Sequence, residues 1–382
     1  MVAFGYAVSS YFSADSGWRE IQVESTAKTN CGNEFIFQYY LGDSGISATA
    51  ENKALITLYT EAAINAYQLF NSDEDFEGVN NLHYLSRHPN EAVEVDKVLY
   101  DAFALLEEYG NRSLYLAPVY AEYNNLFYCN DDSQTVNFDP YQNGEVLEYF
   151  SEILAFANDP EAVNIELLGN NQVRLTVSDA YLEYAAEMGI DSFIDFFWMK
   201  NAFVADYLAD VMIERGYTKG SISSFDGFVR NLDESGRSYS FNLFDRNGQI
   251  VYPAAVMEYT GSISLVYLRN YPVGSLDSQH YYELANGEIR TSYIDTADGL
   301  CKSALNNLVS YSKTAGCAEV LLQVLPVYIA DSFLPEELAM AKDAGIYSIY
   351  CADNVIYYNE SELTLKDLFE EERVRYTTSF VQ

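Results

Sequence analysis

Positive charge is what this 382-residue sequence has least of: 21 Lys and Arg stand against 57 Asp and Glu, for a formal net charge of −36 at pH 7. Such a field repels phosphate backbones and anionic headgroups, which excludes nucleic acid and acidic membrane as general partners. A surface this acidic keeps a chain dispersed. Histidine is scarce: His83, His88 and His280 stand apart without metal-ligand spacing, so no zinc centre is expected. The cysteines, Cys31, Cys129, Cys301, Cys317 and Cys351, are odd in number and far apart, a pattern of buried free thiols rather than a disulfide framework. No run of eighteen apolar residues occurs, so no spanning helix is expected. No basic-then-apolar leader opens the sequence, so the chain as written reads as cytoplasmic. Gly-x-Gly-x-x-Gly and P-loop motifs are missing, which removes the usual phosphate cradles.

What is present is enough for a large core: 49% of residues are apolar, and 34 are tyrosine, a ring that packs while its hydroxyl stays wet. The organising stretch is Ile194 to Tyr217. Phe203, Val204, Tyr207, Leu208, Val211 and Met212 form an apolar stripe at helical spacing, closed by Arg215 and Gly216. Its first half, an apolar run broken by Asp195, reads as a buried strand or crossover feeding that helix. On this reading Asp195 serves the helix N-terminus.

The rest is read in order. Residues 1–31 form a mixed, Ser-rich extension. A strand from residue 33 to 41 ends at Gly42-Asp43-Ser44-Gly45, and residues 50–70 and 95–109 have helical period. Residues 111–145 are aromatic and irregular, and 146–157 are helical. Residues 164–177 form a hairpin about Gly169-Asn170-Asn171, residues 221–231 a strand through Gly227, and residues 238–252 a second hairpin. Residues 262–268 read as a strand, 298–311 as a helix, 318–329 as a strand, and 346–358 as a last hairpin. Hairpins with helices between them predict an α+β fold with largely antiparallel sheets, carried by one domain over 32–382.

The order of these pieces resembles the ApbE family, the FAD:protein FMN transferases. The family's Leu-Asp-Leu-Gly-Gly-Ile-Ala-Lys-Gly-Tyr-Ala-Val-Asp is matched by Ile194-Asp195-Phe196-Phe197-Trp198-Met199-Lys200-Asn201-Ala202-Phe203-Val204-Ala205-Asp206, with Phe197-Trp198 in place of the glycine pair and Asn201 in place of the lysine. Asn-Leu-Gly-Gly-Asp-Ile-Arg is matched by Ser224 to Arg230, keeping Gly227 and Arg230. His-Ile-Ile-Asp-Pro-x-Thr-Gly is matched by His280 to Gly287. Ala-Asp-Ala-Leu-Ser-Thr-Ala is matched by Ala297 to Ser303, keeping Asp298 and placing Lys302 where the threonine stands.

The resemblance implies an ApbE-like, T-fold-like architecture, mostly antiparallel sheets and packed helices about a central cleft. It implies FAD and magnesium as cofactors and a bacterial flavoprotein as acceptor, with FMN passed to a Thr or Ser hydroxyl. It also implies a lipoprotein outside the inner membrane, if a leader was removed. It assigns cofactor contacts to Asp195, Phe197, Trp198, Asn201, Gly227, Arg230 and Lys302, a metal ligand to Asp298 and catalysis to His280. The departures predict a degenerate site with no bound cofactor, in a binding or interaction module whose partner is a flavoprotein or another protein; the alternative is an active, divergent transferase. Phe197 and Trp198 either fill the flavin's volume or stack on another flat ligand. Lys302 either pairs with Asp298 or contacts a phosphate, His280 either meets the pyrophosphate or packs, and Arg230 either steers an anion or pairs with an acid.

Overall fold

Strand β2, Phe35–Leu41, sends Phe35, Phe37, Tyr39 and Leu41 to one buried face while Gln38 stays exposed, as alternation requires. It lies in a sheet that sets the plan of the molecule. The computed structural model describes residues 15–274, 280–371 and 374–381. Among these, nine strands run in the order β1 (Gly17–Ile21), β2, β6 (Gly220–Ser224), β7 (Phe228–Asn231), β10 (Ile263–Arg269), β13 (Asn307–Ser312), β14 (Ile346–Ala352), β15 (Val355–Tyr358) and β19 (Thr377–Phe380). All neighbours are antiparallel except β15 and β19, and β11 (Tyr281–Glu283) with β12 (Ile289–Thr291) and β17 (Glu370–Glu371) with β18 (Val374–Arg375) form separate short pairs. The expected α+β class with largely antiparallel sheets is what the chain forms.

Two cores flank this sheet. On one face lie helix α2 (Ala48–Leu69; the short α1 is Cys31–Glu34), α9 (Lys200–Glu214) and α10 (Cys317–Tyr328). On the other lies a three-stranded sheet of β16 (Thr364–Lys366), β9 (Ile250–Thr260) and β8 (Ser238–Asn247), packing on β10, β13, β14 and β15. Strand β10 shows the division: Val266 and Leu268 enter the helix-side core, Leu265 and Tyr267 the other. Between α2 and α9 the chain inserts α3 (Leu82–Arg87), α4 (Lys97–Glu108), α5 (Ala117–Tyr123), α6 (Asp132–Thr135), α7 (Gly144–Ala157) and α8 (Asp179–Met188) with a small sheet of β3 (Ala92–Glu94), β5 (Gln172–Val177) and β4 (Val163–Gly169). Phe196 ties this insertion to the main body: its ring meets Phe70, Phe103 and Phe203 at centroid distances of 5.2, 6.1 and 4.8 Å. No helix of the described residues is long and apolar enough to cross a membrane.

Several expected elements take another form. Residues 298–311 are not a helix: Gly299 has φ +74 and turns the chain, and Asn307–Ser312 is the fully buried strand β13. Residues 318–329 are not a strand. Their Val and Leu run forms α10 because the Asp206 carboxylate, from α9, accepts the Cys317 and Ala318 amides at 2.8 and 2.9 Å and caps the helix. The single strand through Gly227 is two strands, β6 and β7, joined by a tight turn. Gly227 has φ +112 there, and a Cβ would overlap Tyr267 O. The expected extension 1–31 is cut by β1, which pairs with β2; residues 1–14 lie outside the described residues.

Candidate functional site

The matched motif marks the point where the insertion hands the chain back to the main sheet. The Asp195 amide donates to Leu114 O at 2.9 Å. Its carboxylate accepts from the Phe197 amide at 2.8 Å and from Ser72 Oγ at 3.2 Å. The chain then turns through one 3₁₀ turn, Phe197–Met199, and α9 starts at Lys200. So the first half of the stretch is a crossover, with Asp195 bracing the turn ahead of the helix. Burial raises the Asp195 carboxyl above its ordinary 3.8, while the Phe197 amide and Lys200 act to lower it.

A raised carboxyl is one whose protonated form the fold prefers, so its ionisation costs stability as pH climbs from 3.8 through the folded value. Asp195→Asn keeps an acceptor for the Phe197 amide and removes that cost. The variant should unfold at higher urea than the parent at neutral pH, with the advantage gone below pH 3.8. Equal urea midpoints at neutral pH would show that the carboxylate carries no such cost.

Phe197 has φ +47. Bulky residues rarely adopt that region, and glycine enters it freely. The Phe197 ring stacks on Tyr120 at 4.7 Å and 22°. On this side lies a cavity of about 490 Å³ lined by Asp195, Phe197, Lys200, Glu34, Asn71 and Asp73, among others. Lys200 Nζ is 3.9 Å from Glu34 Oε1.

Trp198 points the other way. It is 8% exposed, and its indole meets Tyr293 edge-on at 4.9 Å. The space left beside it is about 20 Å³, lined by Trp198, Asp226, Phe228, His280, Tyr281, Ser292 and Tyr293. Asn201 Nδ2 donates to Asp226 Oδ2 at 2.9 Å. Trp198 Nε1, Asn201 Oδ1, Asp226 Oδ1 and Ser292 Oγ are buried without a protein partner, and a space of this size is large enough for one water. The structure therefore brings Trp198 and His280 to one small space, with Asn201 next to it through Asp226.

The other candidates are dispersed. Gly227 packs against β10. Arg230 forms an ion pair with Asp206 and lies 3.5 Å from Asp210. Lys302 Nζ sits among three carboxylates, Asp298 at 2.7 Å, Asp295 at 2.8 Å and Asp331 at 2.9 Å. Burial works to lower the Lys302 pKa, but the three carboxylates outweigh it and raise it. The Asp298–Lys302 pair is formed across a loop rather than along a helix.

Reading the sequence alone passed over two segments. Ser292-Tyr293-Ile294-Asp295-Thr296-Ala297-Asp298-Gly299 carries Ile, Asp and Gly at the spacing of the motif assigned above to 280–287. It forms a closed turn in which the Gly299 amide donates to Asp295 O at 2.9 Å. Ala318-Glu319-Val320-Leu321-Leu322-Gln323-Val324 fits the alanine-rich motif on a true helix, α10. Tyr109 Oη lies 3.3 Å from Glu319 Oε1 and accepts from Gln323 Nε2 at 2.9 Å. The motif spacing was visible in both; the strand-like composition of 318–329 hid the second.

Comparison with solved structures decides the architecture. The chain superposes on an ApbE protein from Thermotoga maritima with a TM-score of 0.57 at 14% identity, covering 87% of this chain and 94% of that one. The fold is that of the ApbE flavin transferases. Flavin transferase ApbE from Vibrio cholerae matches with a TM-score of 0.56 at 12% identity over 93% and 99% of the two chains. A flavinyl transferase ApbE from Pseudomonas stutzeri matches at 0.50 and 12% over 93% and 95%. No family model and no curated protein matches the chain by sequence. At these identities the likeness is one of fold.

Proposed function

We propose that this chain is an ApbE-fold protein whose flavin-transfer site is filled by its own side chains, and that it works as a binding or interaction module. The observation that carries this reading is Phe197. It keeps a backbone conformation suited to the glycine of the matched motif, at φ +47, yet carries a phenyl ring stacked on Tyr120. A glycine there lets a ligand approach the backbone, whereas a ring occupies that approach. Trp198, in the second glycine's place, leaves about 20 Å³ beside it, against the several hundred that ligand pockets span.

The segments fitted above support the same reading. Serine, Ser292, takes the place of the motif histidine, Glu319 that of the aspartate to which the resemblance gives the metal, and Gln323 that of the motif threonine. Magnesium does not fit the residues present. At Asp298 a lysine ammonium already occupies the point where three carboxylates converge, and a cation there would face it at short range.

One observation favours a working transferase that attaches FMN to a Thr or Ser hydroxyl of a partner flavoprotein: the cavity of about 490 Å³ beside Asp195 and Lys200, large enough for part of a nucleotide. A titration following flavin fluorescence separates the two. The unmodified protein should show no micromolar affinity for FAD and no FMN transfer to an acceptor protein in the presence of FAD and magnesium. Phe197→Gly combined with Trp198→Gly should increase FAD affinity without restoring transfer. Micromolar binding or clear transfer by the unmodified chain would establish the transferase reading instead.

A further inference from the structure

Among the described residues, the second core covers one end of its face of the main sheet and stops short of the other. The β16-β9-β8 sheet packs on β10, β13, β14 and β15, and no residue of β2 or β6 belongs to that core. Where the cover stops, a groove of about 870 Å³ remains. Its floor is Ser221 and Ser223 of β6, on the face opposite the buried Ile222, with Gln38 of β2 and Val229 of β7 on either side. Its wall is five consecutive residues of β8, Ser238, Tyr239, Ser240, Phe241 and Asn242. Strand β8 is the edge strand of its sheet. Trp18, 46% exposed, stands at the rim against Tyr239.

These features select a ligand class. An edge strand presents backbone donors and acceptors that a further strand can pair. Five residues give about 16 Å of edge, the length of a short peptide. Tyr239 and Phe241 turn inward while Ser238, Ser240 and Asn242 turn out. A strand added beside them would turn every second side chain down onto the serine floor. Val229, Tyr239, Phe241 and Phe244 line the space around that floor, so large apolar side chains suit it; the outward ones are unconstrained. Charge narrows the class further. Acids make up 57 of 382 residues, yet none lines the groove among the described residues, where Arg269 is the one charged residue. An uncharged core therefore suits the groove, and the surrounding field of −36 favours basic flanks.

We propose that this groove binds an extended peptide by strand addition to β8, the peptide having large apolar side chains at alternate positions of an uncharged core and basic residues on either side. This goes beyond the proposed function, using the face of the sheet opposite α9 and α10, so it stands or falls independently of flavin binding.

The test uses the full chain and a fluorescein-labelled peptide, Lys-Lys-Thr-Val-Thr-Phe-Thr-Tyr-Thr-Lys-Lys, followed by anisotropy and by hydrogen exchange. Binding should slow exchange at those amides of residues 238–242 that point away from β9. Replacing the peptide's Phe by Pro should weaken binding about tenfold or more, because Pro breaks a strand ladder. Acidic flanks in place of the lysines should do the same at low salt, with the difference shrinking as salt screens the field. Ser223→Trp, which fills the floor at a half-buried position, should abolish binding, and Ser221→Tyr provides a second such variant if the first folds poorly. No binding by the unmodified chain, binding without protection of 238–242, equal binding of the Pro or acid-flanked peptide, or full binding by a folded floor variant would each overturn the proposal.

Discussion

Asp206→Ala should destabilise the protein by about 3–5 kcal/mol, the range for removing one partner of a largely buried ion pair. Asp206 is the last residue of the matched motif, and its side chain is 19% exposed. Its two oxygens serve three donors: the Arg230 guanidinium, the Cys317 amide and the Ala318 amide. Removing it leaves Arg230, whose side chain is 15% exposed, with only the looser Asp210 at 3.5 Å, and it strips the cap from α10. Gly316 adds a check, since a Cβ there would collide with the Asp206 carboxylate. Asp206→Asn retains acceptor capacity for one amide and should lose less. Urea midpoints for the two variants decide it. A loss below about 1 kcal/mol for the alanine variant, the scale of a surface ion pair, would mean that Asp206 does not hold α9, β7 and α10 together.

Lys302→Met should cost about 2–3 kcal/mol, less than a fully buried pair because Asp298 and Asp331 are partly solvated. Side-chain exposures of 40% and 86% for those acids, against 11% for the lysine, put most of the loss on Lys302 and Asp295. The methionine leaves three carboxylates facing one another. The pH dependence has a definite sign. The folded lysine holds its proton more tightly than the unfolded one, so its stabilisation is complete below the ordinary 10.5 and is lost as pH rises through the folded value. The gap between parent and variant should therefore be constant from neutral pH to about 10 and close only above it. A parent and variant of equal stability at neutral pH would show that the cage contributes nothing. If magnesium then stabilised only the variant, Lys302 would be standing in for a cation.

Patterns of short range were legible in the sequence. The helix after residue 200, the hairpin at Gly169-Asn170-Asn171 and the hairpin about residues 352–354 follow from apolar spacing and from residues that tolerate positive φ, as Asn170, Asn171, Asp353 and Asn354 do here. The order of these units was enough to point to the ApbE-like architecture. The errors fell where an element's identity rests on distant partners. The Val and Leu run of 318–329 suits a strand or a buried helix equally; a carboxylate more than a hundred residues away, Asp206, makes it a helix. The stretch 298–311 has helical spacing, but Gly299 turns it and β10 and β14 recruit its second half as β13.

The candidate site was legible only as a motif. The sequence by itself determined that Phe197 and Trp198 stand side by side ahead of the helix and that Asp298 and Lys302 lie four residues apart. Tertiary structure decided what those facts amount to. The two rings face opposite sides of one turn because Phe197 takes a left-handed backbone, so one Phe-Trp pair borders two separate spaces. Asp295 and Asp331 complete the Lys302 cage from a turn and a distant loop. The extent of the second core among the described residues depends on where the β16-β9-β8 sheet ends. None of this is written in local pattern, because each depends on which distant surfaces meet, and that is fixed only when both cores pack.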